Sequence, residues 1–427
     1  MIDRKLLLKD FEDTAARLER KGVSKSDLLK IRDLMLERNQ LEKTVNDCKA
    51  EINKLSKEIG LALSKNQQSD ESDQLKMKVA DLKDKNASSQ DQLSSVENDL
   101  ENRLLHIPNI PSDNAPNGTT EDDNIILRYE GYDQNKFRTS SYKPHWEIAE
   151  NLGILDQERA SKLSGSMFAI LRKSGARLLH ALVQLGMQLN REKHEEIVAP
   201  HFVRTDVFEG TGHLPKFAHD AYKIEGEELW VVPTGEVALT SLHRGEMLSF
   251  EELPKRYMTY SACFRREAGS HGKDTRGMQR LHEFHKVELV RLCAPEQVQS
   301  EFEDLLADAE KPLRMLGLPY RVVDLCAGDL TFSSTRIFDL EVYAPGADTW
   351  LEVSSVGIFS DFQTRRGNTR FRRKEGQKPE FVHALNGSGL ATPRVWAAII
   401  ENFQQADGTV LIPEPLREYM GTDVIKP

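Results

Sequence analysis

Leu34, Arg38, Leu41, Val45, Cys48, Ile52, Leu55 and Ile59 advance by alternating steps of four and three, with one charged position among them. That spacing is the seam of a coiled coil, in which each apolar side chain returns to one face of the helix. The rhythm breaks at Ser64-Lys65-Asn66-Gln67-Gln68-Ser69-Asp70 and resumes at Leu75, Val79, Leu82, Leu93, Val96 and Leu100, with Asn86 and Ser89 as weak seam positions. Two such helices joined by a short loop make an antiparallel hairpin. At about 1.5 Å per residue each leg is on the order of 45 to 50 Å long, too long for burial inside one domain, so the hairpin must project.

Ile107-Pro108-Asn109-Ile110-Pro111 ends the second helix, because proline removes a backbone donor and pushes the preceding residue toward extended geometry. Residues 1–110 therefore read as a helical arm and 111–427 as a separate domain, with the polar stretch Ser112 to Asn124 as a linker. Helical spacing returns from Gly175 to Lys193 through Leu178, Leu182, Leu185 and Leu189. Strand-like runs follow at Leu229 to Val232, Val287 to Leu292 and Leu340 to Tyr343. Helices and strands alternate irregularly, which predicts an α+β fold.

Composition narrows the function. The chain has 427 residues, 39% hydrophobic and 30% charged, and no apolar run of membrane-spanning length. Its start, Met1-Ile2-Asp3-Arg4-Lys5, enters an amphipathic pattern directly, so no signal or transit peptide is expected and the cytoplasm is the default. Cys48, Cys263, Cys293 and Cys326 are far apart and form no Cys-x-x-Cys pair, which argues against a disulfide framework and a thiolate zinc site. A formal charge of -10 requires any nucleic-acid site to be a local basic patch. The hairpin offers one: Leu28 to Gly60 carries seven Lys or Arg against six Asp or Glu, whereas Asp70 to Leu104 carries five against nine. Lys43, Lys49, Lys54 and Lys57 lie off the seam of the first helix.

The densest polar sequence is Phe264-Arg265-Arg266-Glu267-Ala268-Gly269-Ser270, followed by the loop His271 to Gly277 and then Arg280-Leu281-His282-Glu283-Phe284-His285-Lys286-Val287-Glu288. Two strands joined by a basic loop would present Arg265, Glu267, Arg280, Phe284 and Glu288 to one cleft. A guanidinium fork suits phosphate or carboxylate, a carboxylate accepts an exocyclic amine, and an aromatic face stacks on a base. Together these describe a nucleotide site.

Phe-Arg-x-Glu, a loop, then Arg-x-x-x-Phe resembles motif 2 of class II aminoacyl-tRNA synthetases. Glu267-Ala268-Gly269-Ser270 and Asp274-Thr275-Arg276-Gly277 resemble the form found in the seryl-tRNA synthetase family. The likeness extends through Leu163-Ser164-Gly165, Gly210-Thr211-Gly212-His213-Leu214-Pro215-Lys216-Phe217, Pro233-Thr234-Gly235-Glu236-Val237 and Leu385-Asn386-Gly387-Ser388-Gly389-Leu390.

That resemblance implies a class II catalytic domain, an antiparallel sheet flanked by helices, that activates L-serine with ATP and charges tRNA(Ser), with tRNA(Sec) a second candidate. Two alternatives remain: a paralogue serving another acceptor such as a carrier protein, and a non-catalytic coiled-coil interaction protein. The resemblance assigns Arg265 to the α-phosphate and serine carboxylate, Glu267 to the adenine amino group, Phe284 to adenine stacking and Arg280 to the terminal phosphate. Arg394, in Thr392-Pro393-Arg394, matches the motif 3 arginine; Thr392 can cap the following helix and Pro393 can occupy its first turn. Glu352-Val353-Ser354-Ser355 matches an ATP-binding segment, with Glu352 and Ser355 on Mg²⁺, and Arg266 joins the ATP-binding positions. Thr234, Gly235 and Glu236 match the loop that holds the serine amine, while Glu288 and Ser388, supported by Asn386, face its side chain. No Cys/His zinc constellation is evident. Gly175 to Lys193, leading to Pro200, resembles motif 1, and its leucine-rich face predicts a homodimer. The match departs at Val356-Gly357-Ile358, where the family usually has Cys-Ser-Asn, and Gly235 stands where alanine is frequent.

Overall fold

The computed structural model describes residues 1–64, 70–138, 141–268 and 276–427. The chain divides into two compact units, one of Asp3–Glu19 with Val23–Ile107, the other of Met1–Ile2, Arg20–Gly22 and Pro108–Pro427.

In the first unit the heptad seam becomes the contact between two long helices, α1 (Lys25–Ser64) and α2 (Asp70–Leu105). Val45, Cys48, Leu55, Val79, Leu93 and Leu100 are buried along it. The helices of 40 and 36 residues are longer than the seam alone predicts, roughly 60 and 54 Å at the standard rise, because α1 begins at Lys25. Arg38, the charged seam position, reaches Glu97 on α2 at 3.1 Å and Glu42 one turn along at 2.7 Å, so its charge is paired at the edge of the seam. Residues 65–69, where the sequence predicts the connecting loop, lie outside the described residues.

The second unit is built on an eight-stranded sheet. Its strands are β1 (Ile125–Glu130), β2 (Glu195–Glu196), β3 (Lys255–Phe264), β4 (Glu283–Cys293), β5 (Tyr320–Asp324), β6 (Arg336–Ala344), β7 (Thr349–Ser360) and β8 (His383–Ala391). Their spatial order is β1-β5-β6-β7-β8-β4-β3-β2, antiparallel throughout except for the short β2–β3 pair. Leu229–Val231 stands outside this sheet, paired with Phe202–Arg204.

Alternation along the strands separates the two faces of the sheet. On β6, Leu340 and Val342 join the main apolar core, whereas Asp339 and Glu341 line a cavity. Helices α3 (Ser174–Asn190), α4 (Val298–Met315) and α5 (Thr392–Asn402) supply the core through Leu178, Leu182, Leu185, Phe302, Leu305, Trp396 and Ile399.

Two expectations are corrected. The leucine face of α3 needs no second subunit, because Leu178, Leu182 and Leu185 are at most 3% exposed within one chain. The stretch after Pro111 is docked rather than a free linker: Gly118 accepts a hydrogen bond from Gly328 N, Pro116 from Ala327 N, and Arg20 donates to the carbonyls of Ser112 and Ala115.

Candidate active site

The open face of the sheet forms a cavity of about 960 Å³. Thr234, Glu236, Arg265, Glu267, Arg280, Phe284, Glu288, Glu352, Val353, Ser354, Ser355, Asn386, Ser388 and Arg394 all border it, although they span 160 residues of sequence. The antiparallel registers explain the convergence: Glu288 lies opposite Thr259 on β3 and Ser388 on β8, and Ser355 lies opposite Asp339 on β6.

At one end, β3 stops at Phe264 and the chain turns Arg265 inward. Arg265 N donates to His282 O at 2.8 Å and its Nε to Pro233 O at 3.3 Å, while its guanidinium lies 5.0 Å from the Phe284 ring centroid. Glu267 takes the left-handed backbone region, φ +49°, a costly conformation for a side-chain-bearing residue that swings its carboxylate onto Arg280 Nε at 2.6 Å. Glu267 and Arg280 are thus ion-paired here, although the resemblance gives them different parts of a nucleotide. Arg266 is exposed and absent from the cavity wall; its backbone N donates to Asp220 O at 2.9 Å.

Residues 269–275, which include the Gly269-Ser270 and Asp274-Thr275 matches, lie outside the described residues. The segment after them is pinned. Met278 N donates to His145 Nε2 at 3.0 Å, and His145 Nδ1, the protonated nitrogen of that tautomer, donates to Glu401 Oε1 at 2.7 Å. A Cβ at Gly277, φ +64°, would meet His145 Nε2 at 2.1 Å, so both conformation and space require glycine.

Arg394 opens α5. Its Nε donates to Gln279 O at 2.9 Å and its Nη1 to Glu352 O at 2.7 Å, with Glu352 Oε2 at 3.5 Å. Pro393 sits in the first turn as expected, but Thr392 is not the cap: its hydroxyl donates to His285 O at 2.9 Å and ties the helix start to β4. Ser355 Oγ donates to Glu352 Oε1 at 3.2 Å, whereas Ser354 Oγ donates to Ser388 O at 3.0 Å and Val353 packs into the core. Enclosure raises the Glu352 pKa, but Arg394 and Arg265 outweigh it and hold the carboxylate below its usual range.

Asp339 was not foreseen. It is 8% exposed and its Oδ1 has no hydrogen-bond partner. Burial, with the Glu352 charge nearby, pushes its carboxyl well above the usual range. The available signal was Asp339 and Glu341 two apart in an apolar strand, which puts two carboxylates on one face; their partners come from other strands and could not be read locally.

The far end of the cavity is small and acidic. Glu288 accepts from Thr234 Oγ1 at 2.5 Å and pairs with Lys286. Glu236 accepts from Gln363 Nε2 at 2.6 Å. Burial raises the pKa of both carboxyls, partly offset by Lys286 at Glu288 and by Gln363 at Glu236. Asn386 is buried beside them with Nδ2 making no well-formed hydrogen bond. Gly235 closes the wall: a Cβ there would lie 2.5 Å from Thr259 Cγ2. His213 also lines this region; burial, with Arg265 and Lys286, lowers its pKa to about 3, so it is neutral. Lys286, Gln363 and His213 support this pocket without having been singled out as site residues.

Residues 1–111 match the Seryl-tRNA synthetase N-terminal domain, and residues 220–403 the tRNA synthetase class II core domain (G, H, P, S and T). A serine–tRNA ligase from Citrifermentans bemidjiense is 44% identical over 425 residues, covering 99% of both chains, and one from Pelobacter propionicus is 45% identical over 423 residues with the same coverage. The chain belongs to the seryl-tRNA synthetase family.

Among solved structures, the seryl-tRNA synthetase of Pyrococcus horikoshii, complexed with ATP, superposes with a TM-score of 0.94 at 33% identity over the whole of both chains. The departure from the seryl-tRNA synthetase pattern falls on regular structure: Val356, Gly357 and Ile358 lie in the middle of β7 rather than in a loop. Val356 and Ile358 face the apolar core, and a Cβ at Gly357 would meet the Phe359 ring at 2.9 Å. The amide expected at 358 is replaced by a packed core residue.

Proposed function

We propose that this chain is a serine–tRNA ligase that couples two chemistries within one cavity. The observation that carries the reading is the joining of an arginine-lined end, Arg265 and Arg394, to a small pocket walled by Thr234, Glu236 and Glu288. The buried carboxylates suit an ammonium and a hydroxyl, and a site built to pair a hydroxyl rejects an analogue lacking it. Serine carboxylate attacks the α-phosphorus of ATP, the bond to the β-phosphate oxygen breaks, and pyrophosphate leaves. A terminal ribose hydroxyl of the tRNA then attacks the seryl carbonyl and AMP departs. Arg265 holds the α-phosphate and the serine carboxylate; Arg394 and Phe284 hold the nucleotide. Glu267 receives the adenine amine once Arg280 turns to the terminal phosphate, an exchange that nucleotide binding would drive. Glu352 and Ser355 supply hard oxygens suited to Mg²⁺, which when bound offsets phosphate charge. Preorganised charge of this kind needs no protein nucleophile.

The arm, residues 1–110, holds the tRNA, and residues 111–427 carry the catalysis. Lys43, Lys49, Lys54 and Lys57 are all exposed on α1, as contact with phosphates requires. Val198 and Phe202, 93% and 55% exposed just after the short strand β2, are the apolar surface that supports a homodimer, in place of the α3 leucines. A concentration-independent monomer in sedimentation would remove that part of the reading. No described helix is long and apolar enough to cross a membrane, and a cytoplasmic setting fits the proposed substrates. Serine-dependent exchange of pyrophosphate into ATP, followed by charging of purified tRNA(Ser), tests the activity; exchange without charging points to another acceptor.

A further inference from the structure

We propose that Asp339 belongs to the divalent-cation site, its carboxylate facing the cation that accompanies the nucleotide, beside Glu352 and Ser355. This rests on the nucleotide-activating function proposed above.

Asp339 stands at the middle of β6, directly opposite Ser355 on β7, and borders the same cavity as Glu352. It is more than nine-tenths buried, and its Oδ1 has no hydrogen-bond partner. A buried carboxylate oxygen with nothing to pair with is a costly arrangement unless a donor or a cation arrives. The neighbours are partly committed: Glu341 pairs with Arg321, and Glu352 receives Ser355 and faces Arg394. Asp339 is the member of this acidic wall that borders the cavity with a buried oxygen left unpartnered. Mg²⁺ is commonly held by one or two carboxylates together with substrate phosphates and water, all oxygen donors. Asp339 and Glu352 supply the two carboxylates, and Ser355 a hydroxyl between them. Without a cation the two carboxylates oppose each other, so cation and nucleotide are favoured together over nucleotide alone.

The test uses the full chain with Mn²⁺ as the probe, free Mn²⁺ being read by its electron paramagnetic resonance signal in the presence of ATP. Asp339→Asn is expected to weaken Mn²⁺ binding by about tenfold or more, while ATP binding in EDTA is unchanged or tighter. Asp339→Ser, smaller and neutral, is read in the same way should the asparagine variant not fold. Mn²⁺ affinity retained within about twofold would show that Asp339 is a protonated structural group and overturn the proposal. An equal loss of ATP affinity with and without the metal would also overturn it, because Asp339 would then be shaping the nucleotide pocket. A wild-type chain that binds no ATP overturns this inference and the proposed function together, a result distinct from the other two.

Discussion

Gly235 shows how a single hydrogen can size a pocket. Thr259 Cγ2 lies 2.5 Å from where its Cβ would be, and Glu288 Cβ lies 3.1 Å away, so alanine must push the wall that holds Thr234 and Glu288. Gly235→Ala should raise the KM for serine, with a cost of about 1–3 kcal/mol for overpacking, and Thr259→Ser should restore it by removing the methyl group. Exchange kinetics on the two single variants and the double variant decide this; no rescue would place the strain elsewhere. Glu236 makes a second residue-scale prediction. Burial raises its pKa above the ordinary 4.5, and only the ionised form attracts the substrate ammonium. Serine binding should therefore weaken as pH falls through a value above the normal carboxylate range. Gln363→Leu removes the hydrogen bond that favours the charged form, so its KM–pH inflection should move to higher pH. An unmoved inflection would mean that another group titrates.

At the scale of elements, strand β7 carries both the proposed cation ligands and the departure from the family pattern, and the two are separated by the pleat together with a register shift between Glu352 and Ser354 that brings Glu352 to the face of Ser355. Glu352 and Ser355 border the cavity while Val356 and Ile358 join the core. Ile358→Asn puts an amide into that core, where an unpaired polar group costs about 1–3 kcal/mol. Thermal melting should show the loss clearly, and serine activation by the folded fraction should change by less than about tenfold. A large gain in activation would show instead that this strand limits the chemistry. The same strand marks what the sequence could reveal. The α1–α2 seam was legible because a period near 3.5 is written in consecutive residues, and Arg265, Glu267 and Arg280 because they flank one hairpin. Asp339 was not legible, since Ser355 and Glu352 meet it only through the β6–β7 register. Nor was the exposed apolar surface: Leu178 and Val198 are equally apolar in sequence, and only the α3 packing shows which of them is already covered.

For the molecule as a whole, the division of labour is testable by removing one partner in it. Replacing Leu34 to Leu104 with a short linker should abolish tRNA charging while leaving most serine-dependent exchange, and normal charging by the armless chain would refute the assignment. The arm can also be altered without being removed, and its seam dictates how. A helix turns about 100° per residue, so taking seven residues from each leg shifts the remainder by only about 20° from whole turns, which supercoiling absorbs. Taking four from each leg swings the tip by about 40° and breaks the phase of the apolar contacts. The hairpin therefore behaves as a ruler graduated in steps of about 10 Å, the rise of one heptad. Its reach can be reset from one mark to the next while Lys43, Lys49, Lys54 and Lys57 keep facing the same way, but a stop between marks turns them aside.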